Sequence, residues 1–139
     1  MPAEQRSPPL SYAWDITARS DRHAYDRYAE SMRDIYDVEG VDGELRTAFH
    51  SRTSGSLFDN GSIARGLSAP QTLRRTPALI RASGLDAFSI FVLFAPLTGD
   101  VEGADVRAPA GSIHFRDMAR PSVSQVGRID LISLMIPRA

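Results

Sequence analysis

The sequence predicts a mainly β domain of the α+β class, built as a small β-roll or barrel with a leading amphipathic helix. After Gly43, short β-rich runs alternate with turns made of Gly, Pro, Asn and Asp, a pattern typical of β-sandwiches and barrels. The turns are too short for βαβ crossovers, which need about a dozen residues or more. One amphipathic helical pattern precedes these runs.

Residues 1–19 are predicted to form a flexible N-terminal tail, and residues 20–139 to form one folded domain. The tail is rich in proline and lacks the apolar run of a signal peptide. The longest apolar run, residues 87–97, is interrupted by Pro96 and is too short to cross a bilayer as a helix. We therefore expect a cytoplasmic protein.

The leading helix is predicted over residues 20–37, where apolar residues recur at three- and four-residue steps and form one stripe. The stripe consists of Tyr25, Tyr28, Met32, Ile35 and Tyr36. Ser20 or Asp21 can cap its start, and Gly40 can end it. We expect the stripe to pack the helix onto a sheet, with binding of a partner protein as the alternative.

The β-rich region begins with two predicted strands and a short helix. Residues 45–52 form the first strand and residues 56–67 the second, with the Asp-Asn-Gly sequence at residues 59–61 as a turn or bulge signal. Pro77 suits the first turn of a helix over residues 76–82. The helix therefore separates two groups of predicted strands.

The second group begins with residues 88–97, a strand that is apolar on both faces. The elements predicted after it are a turn at 99–103, a strand that begins at 105–107, a tight turn at 109–111, a strand at 112–117, a break at Arg120 and Pro121, and a last strand at 128–137. The last strand also resembles the middle of a core.

Composition and motifs exclude several classes of function. The formal net charge is −1, and every basic residue is Arg. The mixed signs along the chain lack the basic excess of a nucleic-acid-binding surface. The absence of cysteine excludes disulfides, thiolate nucleophiles and cysteine metal sites.

Catalytic chemistry is also weakly represented. His23, His50 and His114 do not pair at the spacing of metal ligands. No nucleophile-elbow, P-loop or dinucleotide-binding motif occurs, and without Lys no Schiff base can form. We predict that the chain is not an enzyme and binds no metal and no cofactor.

Five stretches of the chain match a known domain in order and spacing. They are HAYDRYAESMRDIYDV, LRTAFHSRTSGSLFDNGSIARG, LRRTPALIRASGLDAFSIFVLFAPLTGDVEG, PAGSIHFRDMARP and RIDLISLMIPRA. Together they resemble the N-terminal effector-binding domain of AraC-type transcription regulators over residues 21–139. The resemblance implies a cupin-like β-roll.

Single positions of that family's pattern also have counterparts here. The pattern has an Arg before a short helical turn, a Gly after the long apolar strand, a Pro-x-Gly turn into a strand that ends in Asp, an Arg-Pro pair and a final Ile-Pro-Arg. The matching residues are Arg74 or Arg75, Gly99, Pro109, Gly111, Asp117, Arg120, Pro121, Ile136, Pro137 and Arg138. Ser112 departs from the pattern, since the family often has an acidic residue there, and we expect only a local change in the turn.

The resemblance implies the ligand-sensing and dimerisation domain of a transcription regulator. A partly hydrophobic small-molecule effector would bind inside the roll, and the chain would form a homodimer. The candidate ligand-binding residues are Phe49, Arg52, Phe91, Leu93, His114 and Phe115. Packing in the core or at the surface is the alternative role for each of them, since pockets and cores are both mostly apolar.

Members of this family continue past Ile-Pro-Arg into linker helices and two helix-turn-helix units. This sequence ends at Ala139 without them, so we expect a truncated sensor, either a fragment or the product of a shortened gene, that contacts DNA only through a domain it lacks. Two hypotheses remain beside this one. The first is a free-standing cupin-like small-molecule-binding protein or metal-dependent enzyme, and the second is an interaction protein that pairs with a full-length relative.

Overall fold

Two antiparallel β-sheets form the walls of a roll in a computed structural model that describes residues 10–101 and 103–138. The strands are β1 (Leu10–Thr17), β2 (Asp37–Glu39), β3 (His50–Phe58), β4 (Gly61–Ser68), β5 (Gln71–Arg75), β6 (Ala87–Leu93), β7 (Leu97–Val101), β8 (Ala104–Ala108), β9 (Ile113–Asp117), β10 (Ser122–Val126) and β11 (Ile129–Pro137). The helices are α1 (Ala24–Met32), α2 (Gly43–Thr47) and α3 (Pro77–Ser83). The predicted mainly β architecture is confirmed.

The last strand of the sequence lies in the middle of the larger sheet. The six-stranded sheet has the order β1-β3-β4-β11-β6-β9, and the five-stranded sheet has the order β2-β5-β10-β7-β8. β11 is paired along β4 on one side and along β6 on the other, antiparallel to both. This central position explains why residues 128–137 resemble the middle of a core.

Residues 10–17, which composition assigns to the N-terminal tail, form strand β1 at the edge of the larger sheet. β1 runs antiparallel to β3 along its whole length, with Trp14 opposite Thr53. The rest of the predicted tail before Leu10 lies outside the described residues. Local composition does not reveal this strand, because its stability comes from pairing with a strand far along the chain.

Helix α1 is shorter than predicted, but its apolar stripe packs as expected. The residues before it form a turn in which Asp21 accepts a hydrogen bond from the backbone N–H of His23 at 2.9 Å. The residues after it lead into β2, which pairs with β5. Tyr25 and Tyr28 pack on Phe49, with ring centroids 5.6 and 5.0 Å apart. The stripe residues inside α1 also pack with Ile16 of β1 and Val38 of β2, which confirms the predicted packing for them, whereas Ile35 and Tyr36 lie beyond the end of the helix.

Two predicted strands have different limits in the structure. Residues 45–47, predicted as the start of a strand, belong to α2, and β3 begins at His50. The strand predicted over residues 88–97 ends at Leu93, and β7 of the other sheet follows. Pro96 lies between them and has no N–H for a continued ladder.

The turn predicted at residues 99–103 is shorter in the structure, since β7 continues to Val101. Gly99 lies inside β7, opposite Ser124 of β10. A Cβ atom at Gly99 would lie 2.0 Å from the carbonyl oxygen of Val123. Only Gly allows the two strands to approach so closely at this point.

Helix α3 is confirmed close to its predicted position. Thr76 caps its N-terminus, because its Oγ1 accepts a hydrogen bond from the backbone N–H of Leu79 at 3.1 Å. Pro77 occupies the first turn, and Gly84 ends the helix in the left-handed conformation with φ of 64°.

Asp117 and Arg138 meet at one end of the larger sheet. Arg138 donates hydrogen bonds to Asp86 at 2.8 Å and to Asp117 at 2.7 Å. The backbone N–H of Ala119 and, after it, Arg138 hold the pKa of Asp117 below its usual range. These contacts tie the end of β11 to the start of β6 and the end of β9.

Arg75, the last residue of β5, joins several segments from inside the protein. Its side chain is 1% exposed. The acceptors of its hydrogen bonds are the carbonyl oxygens of Met118, Ile35, Asp34 and Leu85, at 2.7, 2.8, 3.1 and 3.3 Å. Burial lowers the pKa of Arg75, but the group stays charged because the usual pKa of a guanidinium is far above neutral.

Replacing Arg75 by Met is expected to lower the free energy of unfolding by at least about 3 kcal/mol, because several buried carbonyl groups lose a charged donor. Arg74→Met is the matched control, since Arg74 lies in a half-exposed ion pair with Glu39 at 2.9 Å and its loss should cost about 1 kcal/mol or less. Urea denaturation measures both values. Equal losses in the two variants would contradict the role of Arg75.

Candidate ligand-binding site

A cavity of about 460 Å³ lies between the two sheets, with α1 beside it. Its volume is within the range of roughly 300–1,000 Å³ that small-molecule pockets occupy. The wall is formed by Tyr12, Trp14, Tyr28, Met32, Ile35, Tyr36, Ser51, Thr53, Leu57, Ser62, Ala64, Gly66, Leu67, Ser68, Leu73, Ser89, Phe91, Leu93, Ala95, Pro96, Leu97, Arg116, Val126, Arg128, Ile129, Asp130, Leu131, Ser133 and Met135.

Small side chains on the inner face of the larger sheet create this space. Side chains alternate between the two faces of a strand, and the inward positions of β3, β4, β6 and β11 include many small residues. They are Ser51, Thr53, Ser62, Ala64, Gly66, Ser68, Ser89 and Ser133. Larger residues at these positions would fill the roll.

Aromatic side chains cover part of this face. A Cβ atom at Gly55 would lie 2.6 Å from Cζ and from the hydroxyl oxygen of Tyr12, so Gly55 leaves room for this side chain. The rings of Tyr12 and Trp14 stack with centroids 5.7 Å apart. In α1, the hydroxyl of Tyr28 donates a hydrogen bond to Gln71 Oε1 at 2.7 Å. Burial raises the pKa of Tyr28 to about 12, so this phenol is a neutral donor at physiological pH.

The wall includes exposed residues at both ends of the roll, where the cavity reaches the surface. Leu57 is exposed beside the β3–β4 hairpin, and Pro96 and Arg128 are exposed at the other end. Arg128 lies 3.7 Å from Asp130, which also pairs with Arg65 at 2.5 Å. The rim at Arg128 therefore has more positive than negative charge.

Arg116 of β9 is a buried charged residue in the cavity wall, with a side chain that is 1% exposed. Its Nη1 donates to the hydroxyl of Tyr36 at 3.0 Å. Its Nη2 contacts Ser124 Oγ at 2.7 Å and His114 Nε2 at 3.2 Å. Within residues 10–101 and 103–138, no carboxylate pairs with this guanidinium.

Arg116 determines the protonation of His114. A guanidinium can only donate, so Nε2 of His114 accepts the hydrogen bond and the neutral ring carries its proton on Nδ1. Burial and, after it, the positive charge of Arg116 lower the pKa of His114 below its usual value of 6.5. The ring stacks on Phe91, with centroids 6.2 Å apart.

Three polar groups in the wall are buried and have no hydrogen-bond partner within the described part of the chain. They are Trp14 Nε1, Ser89 Oγ and Arg116 Nε. A fourth such atom, Ser122 Oγ, does not belong to the cavity wall. Ser89 lies directly opposite Arg116 in the β6–β9 ladder, so the two side chains are neighbours on one face. Buried donors without partners are unfavourable, and a ligand with acceptor atoms can satisfy them.

The structure places two of the predicted ligand-binding residues in the cavity wall. Phe91 and Leu93 both face inward from β6. His114 does not line the cavity, but it contacts Phe91 and Arg116, which do. That these residues bind a ligand stays a prediction.

The other three predicted residues lie away from the cavity. Phe49 is buried in the cluster that holds α1. Arg52 is exposed and pairs with Asp15 at 2.9 Å. Phe115 is 57% exposed on the outer face of the sheet. His114 and Phe115 are consecutive in a strand, so their side chains point to opposite faces.

Arg116, Ser89 and the small inward residues are parts of the site that the sequence does not predict. The available signal was in β4, where small residues occupy every second position from Ser62 to Ser68, because bulky residues at those positions would close the roll. The pairing of Arg116 with Ser89 has no local signal, since they lie on strands joined only in the folded sheet.

Within residues 10–101 and 103–138, no group of three or more His, Asp or Glu side chains is placed to hold a metal ion. His23 lies before α1, His50 begins β3 and His114 lies in β9. None of the helices in the same residues is long and apolar enough to cross a membrane.

The fold is similar to several solved structures. The AraC-like transcriptional activator CuxR matches with a TM-score of 0.76 and 14% identity, over 91% of this chain and 47% of the CuxR chain. This chain thus spans less than half of CuxR. An RmlC-like cupin from Shewanella frigidimarina matches with a TM-score of 0.50 and 9% identity, over 74% of this chain and 85% of that chain. A conserved protein of Streptococcus pyogenes also has a TM-score of 0.50, with 6% identity, over 64% of this chain and 75% of that chain.

These similarities confirm the predicted cupin-like β-roll. The resemblance to an AraC-type sensor domain is borne out at the level of the fold, and a fold can host many functions. No protein-family model matches the sequence, and no curated protein matches it significantly.

Lowering the pH through 6.5 is expected to destabilise the protein relative to a His114→Gln variant. The lowered pKa of folded His114 means that the unfolded chain binds more protons in this range, so stability increases with pH there. Gln keeps an acceptor for Arg116 but does not titrate. Urea denaturation of both proteins at pH 7.5 and 5.0 measures the effect, and a stability difference that is independent of pH would contradict it.

Proposed function

We propose that this chain is the effector-sensing and dimerisation domain of an AraC-type transcription regulator in the cytoplasm. The observation that carries the proposal is the cavity, which combines an apolar wall with a few unpartnered donors, as ligand pockets do. The fold similarity to the activator CuxR supports the regulatory part. The proposal assigns no catalytic step to the chain.

The position of the cavity suits a sensor, because one ligand there touches several elements at once. Its wall includes residues of both sheets together with Tyr28 and Met32 of α1. A ligand can therefore favour one arrangement of these elements over another. Such a shift requires different affinities for the two arrangements.

The outer face of the larger sheet supports the dimerisation part. An apolar row crosses four neighbouring strands from Phe115 through Ile90 and Leu134 to Ile63. A second row contains Ile113, Val92 and Ile132. These two rows are the outer apolar face. Exposed apolar surface of this kind marks interaction sites, and we propose a second copy of the chain as its partner.

The cavity is expected to bind N-phenyl-1-naphthylamine, a neutral apolar dye that becomes fluorescent out of water. Introducing Ala64→Val and Gly66→Val together should weaken this binding about tenfold or more, because the added methyl groups occupy cavity space. A Cβ atom at Gly66 would lie 3.8 Å from the nearest side-chain atom, in Leu131, so the strand can accept it. Fluorescence titration measures the affinity.

Ser54→Val, on the outer face of β3, is the control for this experiment and should leave dye binding unchanged. If the dye binds equally well to the native protein and to the Ala64→Val, Gly66→Val double variant, it binds outside the cavity. The main support for a sensor would then be lost. Compounds that displace the dye are then tested for an effect on self-association. If no displacing compound changes it, the sensing part of the proposal is wrong.

Self-association is expected to depend on the edge strand β9. The double change Ile113→Asp and Phe115→Asp should weaken dimer formation about tenfold or more, since both apolar side chains would lie in the interface. Leu10→Asp is the matched control, because Leu10 and Ile113 are both 73% exposed on opposite edges of the same sheet. Analytical ultracentrifugation measures the association. A native protein that stays monomeric at high concentration would contradict dimerisation through this face.

A further inference from the structure

We propose that the ligand of this cavity is a monocarboxylic acid with an apolar body, whose carboxylate is held at Arg116 and Ser89. This inference rests on the proposed effector-sensing function and deepens it. It gives the ligand a chemical class and an orientation, with the acid group against β9 and β6. Within residues 10–101 and 103–138, two arginines are buried, Arg75 and Arg116.

Arg75 and Arg116 are equally buried but differ in their surroundings. Both side chains are 1% exposed. Arg75 is surrounded by backbone carbonyl oxygens, which are good acceptors for a cation, and it does not line the cavity. The hydrogen-bond partners of Arg116 within the described residues are hydroxyl groups and an imidazole, and its Nε has none. Its guanidinium carbon also lies 5.6 Å from the ring centroid of Phe91 and 6.0 Å from that of Tyr36. Arg75 is therefore structurally satisfied, whereas Arg116 is not.

The positive charge of Arg116 has two aromatic rings near it but no carboxylate partner within the described residues. Burying a charge is costly unless it is paired and hydrogen bonded. His114 cannot supply a negative charge, and Tyr36 and Ser124 are neutral hydroxyl donors and acceptors. A ligand that brings one negative charge to the cavity wall compensates Arg116 directly, and charge-assisted hydrogen bonds are stronger than neutral ones.

Ser89 supplies a second donor beside Arg116. Its Oγ is buried without a partner, and its residue lies directly opposite Arg116 in the ladder. Directly opposite residues of antiparallel strands have Cβ atoms roughly 4.5–5.5 Å apart. An acid group bound between them can accept from the hydroxyl of Ser89 and from Nε of Arg116, which satisfies two of the unpartnered groups at once.

The rest of the cavity favours an apolar body with a single charge. Beyond Arg116 and Ser89, its wall includes large apolar side chains such as Trp14, Leu73 and Phe91. A dianion such as a phosphate monoester would leave one negative charge without compensation in this apolar space. A polyhydroxylated neutral ligand would leave Arg116 uncompensated. The positive rim at Arg128 attracts an anion toward the cavity.

Matched pairs of acids and amides test the inference. The probes are 1-naphthaleneacetate, 4-phenylbutyrate and octanoate, each beside its own neutral amide, which has nearly the same shape. At pH 7.5, at least one acid should bind the native protein tenfold or more tightly than its amide, as measured by isothermal titration calorimetry and by displacement of N-phenyl-1-naphthylamine. The amides should bind with similar affinity to native protein and variants.

Three variants locate the acid group. Arg116→Gln should abolish the preference for acids, Arg116→Lys should keep part of it, and Ser89→Ala should weaken acid binding several-fold. Ser122→Ala is the matched control, because Ser122 also has a buried hydroxyl without a partner but lies outside the cavity wall. Ser89→Ala removes no hydrogen bond within the described residues, so it carries the test even if Arg116→Gln does not fold.

The outcomes separate this inference from the proposed function. If acids and amides bind equally well inside the cavity, the sensor proposal stands and the acid is excluded as the ligand class. If no acid binds although the neutral dye does, the inference is overturned in the same way. If acids bind equally to the native protein, Ser89→Ala and Arg116→Lys or Gln, the acid group is held elsewhere. Failure of the dye to bind contradicts the sensor proposal itself.

Discussion

The alternation of side chains along the strands of the larger sheet determines most other features of this structure. Most inward positions of β3 and β4 are small, which leaves the cavity open. Outward positions of β6, β9 and β11 are apolar and form the outer apolar face. A shift of one residue in any ladder would exchange the two sets. The strand β11 is apolar on both sides because it contributes to both surfaces.

The two buried arginines show how burial alone fails to indicate a role. Arg75 stabilises the fold, since backbone carbonyls from three separate parts of the chain converge on it. Arg116 lies in the cavity wall with neutral partners, and its charge is left for a ligand to compensate. The difference lies in the acceptors around each guanidinium. An arginine that stabilises the fold finds its hydrogen-bond acceptors within the protein. An arginine that can bind a ligand keeps at least one N–H donor without a protein acceptor.

Local signals predict part of the fold and little of the site. Pro77 indicates α3. The Asp-Asn-Gly sequence at residues 59–61, predicted to lie inside one strand over residues 56–67, is the turn that divides this segment between β3 and β4. The sequence does not predict the strands β1, β2, β5, β7 and β10, because they are stabilised by partners distant in the sequence. For the site, the apolar strand β6 indicates Phe91 and Leu93. The aromatic residues Phe49 and Phe115, also predicted as ligand-binding, lie away from the cavity. Space in a roll is created by small residues and not by aromatic ones.

The sequence by itself determined the fold class, the order of the main elements and the resemblance to a sensor domain. Turn residues, caps and alternating patterns act over a few neighbouring residues, so they can be read along the chain. Only the tertiary structure decided that Arg116 and Ser89 meet, that Phe115 faces outward and that β1 belongs to the sheet. Each of these depends on which strands pair and in which register, and that choice is made by contacts between residues far apart in the sequence.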